Sequence, residues 1–188
     1  MGLEADTASI HRLLAAGEAF VPGMAGELGG HEPGAVTPGY ECREAIAGLI
    51  GALARRHPEA GRGFWALRAW ILLTWQPAVL AFLAVHRIGG VPSLRGISQR
   101  VEVAAVLGYR LPEGAVATGR TEVLIARAGC DLRALAEDLL AALNAVAPVK
   151  PVLACRLLAD RVLSLLLNLG EPGWGLSSAE IRDAAACW

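Results

Sequence analysis

Gly63 to His86 reads GFWALRAWILLTWQPAVLAFLAVH, and the fold turns on how this stretch is read. Trp65, Trp70 and Trp75 lead into Gln76-Pro77, after which a second apolar segment runs to His86. From Ala69 to Val85 there are 17 residues without a formal charge, at the short end of what a bilayer-spanning helix needs, about 17 to 25. Pro77 sits in the middle of that run. It removes a backbone hydrogen bond and disfavours helix for the residue before it, while the first turn of a new helix tolerates it. The expectation is therefore two short helices, hinged at Gln76-Pro77 and buried as a pair, with contact at a membrane surface left open.

The surroundings of this stretch fit a core element of one domain. A chain of 188 residues can bury a substantial core. Its 54% hydrophobic fraction comes largely from Ala and Leu, with aromatics at only 5%, which favours helix. Basic residues (17) nearly balance acidic ones (18), and the arginines are scattered, so the electrostatic footprint of a nucleic-acid binder is missing. The N-terminal MGLEADTASIHRLL has acids where a secretory leader carries basic residues, so export by that route is not expected. Cys42, Cys130, Cys155 and Cys187 are far apart and lack CxxC or Cys/His spacing, so no zinc or redox motif is read from them.

Outward from the centre, Ile10, Leu13 and Leu14 mark a helix over Ala5 to Ala16, with Gly17 as its stop. Val21 to Gly39, rich in Gly and Pro, reads as a long loop, so residues 1–39 are assigned to a terminal helix and linker and 40–188 to the main domain. Glu41 to Arg56 is helical through Ile46, Leu49, Ile50 and Leu53, and His57-Pro58 ends it. Val101 to Leu111 alternates with period two and reads as one strand, with Thr121 to Ile125 as its antiparallel partner. Asp131 is placed as the cap of a helix carrying Leu132, Leu135, Ala136, Leu139 and Leu143. A further helix over Val152 to Leu169 is apolar around most of its circumference, and is expected to be mostly buried behind a stripe of Arg156, Asp160, Ser164 and Asn168. Glu171-Pro172-Gly173 breaks it, and Ser177 or Ser178 opens a closing helix. The fold class expected is α+β, a mainly helical single domain with a small antiparallel β-ribbon packed on helices.

No GxSxG, Walker-type, HExxH or GxGxxG signature is present. The chemistry-bearing candidates are Trp75 and Gln76 at the break, which suit a planar ligand but are ordinarily core anchors. His86 and Arg87 follow at a helix end, where cations ordinarily serve as caps. Gln99 precedes the first strand, and Arg161 offers a planar guanidinium for oxygen ligands.

Three blocks together, GFWALRAWILLTWQPAVLAFLAVH, LRGISQRVEVAAVLGYRLPEG and LLADRVLSLLL at Leu157 to Leu167, resemble the ferric-siderophore reductase family, the FhuF-like proteins. The resemblance covers roughly Ala60 to Leu169. It implies a cytoplasmic protein that binds a ferric siderophore and promotes reduction of Fe(III) to Fe(II), with Trp75, Gln76, His86, Arg87, Gln99 and Arg161 as the ligand-facing wall. It also implies a [2Fe-2S] cluster held by a cysteine-rich tail, a Cys-Cys pair followed by a Cys-x2-Cys pair. Here the sequence departs from the family: no cofactor motif is evident, and Cys187 is at most a remnant ligand or the first member of an absent tail. An external electron donor is then the implied partner. The alternative is a non-enzymatic module that binds a siderophore or another small ligand.

Overall fold

The computed structural model describes residues 7–168 and 177–188, and it is α+β and mainly helical, as expected. Helix α1 (Thr7–Phe20) leads to a short strand β1 (Gly26–Leu28), and α2 (Arg43–Arg56) follows. A single 3₁₀ turn, Pro58–Ala60, opens α3 (Gly61–Leu83), which runs into a π-helical turn, Ala84–Ile88. Strands β2 (Gly90–Pro92), β3 (Ser98–Glu102), β4 (Ala105–Leu111) and β5 (Val116–Thr118) come next. Helices α4 (Thr121–Asn144), α5 (Pro151–Asn168) and α6 (Ser178–Cys187) complete the chain. The expected Glu171-Pro172-Gly173 break lies outside the described residues.

The deciding stretch is one helix, not two. Pro77 lies inside α3, and every residue from Gln76 to Leu83 is buried. A mid-helix proline costs about 3 kcal/mol. Burying Val79, Leu80, Phe82 and Leu83 is worth about 1.5–3 kcal/mol each, so packing overrides the break. One turn earlier Thr74 Oγ1 donates to the Trp70 carbonyl at 2.8 Å. The irregularity emerges instead past Leu83, as the π turn capped by Gly89 at φ 69. The continuous segment Pro58–Ile88 is long and apolar enough to cross a membrane, yet 78% of its most apolar window is buried against the rest of the protein. It is the helix around which α1, α2, α4 and α5 pack.

Five further expectations are corrected. Gly17 does not stop α1; it lies buried within it, where an added Cβ would sit 3.0 Å from the Tyr109 hydroxyl. Its role is close approach to that ring. The Val21–Gly39 segment is fastened to the core, since β1 pairs with β4 in parallel (Gly26 opposite Tyr109, Leu28 opposite Leu111) and Val36 bridges Gln99. Met24, Val36 and Thr37 are buried. The alternating run Val101–Leu111 is a hairpin of β3 and β4 rather than one strand, turning at Val103 with φ 54 and giving a three-stranded order β1-β4-β3. Thr121–Ile125 opens α4 rather than forming a strand, because Leu124, Ile125, Ala128, Leu132 and Leu135 continue one helical face. The partner of β2 is β5, in a separate antiparallel pair. Asp131 is consequently interior to α4, buried, and 3.6 Å from Arg127 one turn before it.

Helix α5 differs from expectation in its exposure. Ala154, Leu165 and Leu166 are buried, while Val152, Leu153, Leu163 and Leu167 stand in solvent beside Arg156, Asp160 and Ser164.

Candidate functional site

A recess of about 520 Å³ opens between α4, α5 and the end of α6, within the usual range of about 300–1,000 Å³ for small-ligand sites. Its origin is visible in side-chain size. Gly129 and Ala136 on α4 face Ala154 and Ala159 on α5, and these small residues leave the two helices without interdigitating bulk. Leu132, Leu140, Leu158 and Val162 supply apolar wall. Trp70 of α3 forms part of the floor, and its Nε1 donates to the Ala154 carbonyl at 3.0 Å, tying the first turn of α5 to the core helix.

Trp188 closes one side. Its ring stacks on Phe82 with centroids 4.4 Å apart and planes 10° from parallel, and its Nε1 donates to His86 Nε2 at 3.2 Å. Accepting that bond requires a neutral imidazole with its proton on Nδ1, and burial pushes the His86 pKa below its ordinary value. At the rim Arg133 Nε donates to Glu137 Oε1 at 2.9 Å. That pair is exposed and is the ordinary i, i+4 geometry of a helix surface. Cys155 also borders the recess with an exposed thiol.

The six residues expected at the ligand wall are not among those lining this recess. Gln76 and Gln99 do meet, but as a buried clamp: Gln99 Nε2 donates to Gln76 Oε1 at 3.2 Å, and Gln76 Nε2 donates to the Gly23 carbonyl at 2.9 Å. The clamp ties the core helix to β3 and to the segment before β1. Trp75 is half-buried and donates from Nε1 to the Val106 carbonyl at 3.3 Å, so it anchors β4. Arg87 is exposed on the π turn, and Arg161 is half-buried on α5. His86 is linked to the recess indirectly, by accepting the bond from Trp188, which lines it. The recess was hidden because its α4 wall, Gly129, Leu132, Arg133, Ala136 and Leu140, lies beside the core stripe and partly coincides with it. The legible signal is that the small and apolar arc of α4 is wider than one neighbour needs.

A second, polar recess of about 240 Å³ lies by Glu32, Gly34, Arg100 and Glu102. Arg100 binds Glu32 and Glu27 at 3.0 Å each, which lowers the Glu27 pKa and raises that of Arg100. Arg110 Nε lies 3.3 and 3.4 Å from the same carboxylates, in ion-pair range but not aligned to donate a hydrogen bond. The network satisfies its own charges and ties the β1 segment to β3 and β4.

A [2Fe-2S] centre needs thiolates that converge on one point. Cys42 is buried just ahead of α2, where burial and then the Glu41 charge push its thiol pKa up, whereas Cys130, Cys155 and Cys187 are exposed on three other helices. Among the described residues no three His, Cys, Asp or Glu side chains are grouped to hold a metal ion. The four-thiolate set such a cluster uses does not fit the described cysteines. No protein-family model matches the chain, and no solved structure does.

Proposed function

We propose that the recess between α4, α5 and α6 receives a ferric siderophore, and that the chain presents it for one-electron reduction by a separate donor in the cytoplasm. The observation that carries this reading is the recess itself, apolar along both helical walls, with tryptophans at its floor and side and a guanidinium at its rim. A hydroxamate siderophore has the matching character, polymethylene arms around an oxygen-caged iron. The arms would lie on Leu132, Leu140, Leu158 and Val162. Arg133, released from Glu137, would face the oxygen shell, for which its planar fork is suited. In the reductive step one electron passes from the reduced donor to Fe(III), the donor is oxidised by one electron, and the Fe(II) formed is held far less tightly by hard oxygen ligands. The siderophore leaves chemically unchanged.

A second reading, a binding module without redox work, is favoured by the dispersal of the four cysteines over separate elements. One experiment separates the two. Ferric hydroxamate, catecholate and carboxylate siderophores are titrated against tryptophan fluorescence, and Fe(II) release is then followed with a ferrous chelator and a reduced flavin or ferredoxin. Saturable quenching with donor-dependent acceleration supports the reductase reading. Quenching without acceleration supports the binding module. No quenching by any of the three types contradicts both.

A further inference from the structure

We propose that α5 is a homodimer interface in which two copies of the helix pack antiparallel about a twofold axis. The exposed face of this helix is unusual for a solvated surface: Val152 is 66% exposed, Leu153 39%, Leu163 50% and Leu167 72%. Arg156 and Asp160 lie in the middle of that face and are exposed as well. Successive residues on a helix advance by about 100°, which brings positions 152, 153, 156, 160, 163 and 167 within one arc of little more than a quarter-turn.

The order of residues along that arc selects the occupant. Leu153 and Leu163 stand five positions either side of Leu158, and Arg156 and Asp160 stand two positions either side of it. An antiparallel twofold partner centred at Leu158 therefore sets Arg156 beside Asp160 of the second copy, and Asp160 beside its Arg156. Leu163 then lies against Val152 and Leu153 of the second copy at each end. The four charges alternate in sign across the contact. A parallel arrangement would bring Arg156 beside Arg156 and Asp160 beside Asp160, which opposes docking. An isologous contact of this kind closes at two copies. Among the described residues the i, i+4 ion pairs within the chain are Arg127 with Asp131 and Arg133 with Glu137, and Arg156 with Asp160 is not one of them. Both charges are thus available to a second copy. Leu163 is shared with the edge of the recess, but Leu153, Arg156, Asp160 and Leu167, which the test varies, do not line it, so the inference is tested separately from the ligand proposal.

The test is sedimentation velocity on the full chain over a range of concentrations, with helicity monitored for each variant. Wild type is expected to show a reversible monomer–dimer equilibrium. Arg156→Asp, which lines four acids across the contact, is expected to weaken it by about tenfold or more, and Leu153→Glu with Leu167→Glu to abolish it. The double reversal Arg156→Asp with Asp160→Arg restores alternating charge and is expected to recover dimerisation. A wild type that stays monomeric throughout overturns the proposal. So does a dimer indifferent to Arg156→Asp, or a double reversal that fails to recover association. Binding of monomeric wild type to lipid vesicles, lost in Leu167→Glu, would assign the face to a membrane surface and overturn it equally.

Discussion

Replacing Gln76 by Leu is the perturbation that most sharply separates a core clamp from a ligand wall. The change keeps roughly the same volume and removes both hydrogen bonds of the side chain. The Gly23 carbonyl keeps a second donor, the Gly108 amide at 3.1 Å. What is stranded is the Gln99 amide: its Nε2 loses its partner, and its buried Oε1 has none already. Leaving such a group unsatisfied costs about 1–3 kcal/mol, so Gln76→Leu is expected to lower stability by about 2 kcal/mol. Gln99→Leu strands only Gln76 Oε1 and also deletes the unpartnered oxygen, so its cost is smaller, about 1 kcal/mol or less. With both replaced, no buried amide group is left over. The double variant is expected to be more stable than Gln76→Leu alone, with a coupling of about 1–2 kcal/mol. Urea denaturation with an unchanged slope measures all three differences. Additive single costs, or a Gln99→Leu penalty as large as that of Gln76→Leu, would refute the clamp.

Other outcomes follow from the same packing. Tyr109 is fully buried with no partner for its hydroxyl among the described residues, and burial followed by the Glu18 charge pushes its pKa up; Tyr109→Phe is expected to stabilise the protein by about 1 kcal/mol in thermal or urea unfolding. Gly26→Ala places a Cβ 2.6 Å from Tyr109 Cε2, and overpacking of this kind is expected to cost about 1–3 kcal/mol or more, read by the same unfolding assay. His86 has a folded pKa below its unfolded one, so the unfolded chain binds more protons and stability falls as pH drops below the ordinary histidine range near 6.5. Unfolding midpoints at pH 7.5 and 5.5 are expected to differ less in His86→Gln than in wild type.

The helical content and the centrality of the tryptophan-rich stretch were legible because apolar periodicity and length carry them. The single long helix was not, since Pro77 is a local signal and the burial that outweighs it comes from four other helices. Val103 has no turn signature, so the β3–β4 hairpin looked like one strand. Thr121–Ile125 alternates over too few residues to be told from the first turn of α4. Gln76 and Gln99 are expected at a ligand-facing wall, whereas in the structure they contact each other across 23 positions in the core. Their satisfaction by each other and by a backbone carbonyl is what a one-dimensional reading could not show. The recess was missed for a related reason: it is made by what Gly129, Ala136, Ala154 and Ala159 lack.

Cys155 offers the most direct test of that recess, because it borders the space while Cys130, also exposed, is not among the lining residues. The measurement is the rate of maleimide labelling at each thiol, resolved by peptide mass spectrometry, with and without a saturating ferric hydroxamate siderophore. Cys155 is expected to be slowed and Cys130 to label at an unchanged rate. Equal rates at Cys155 with and without the complex, in a protein that remains folded, would contradict it.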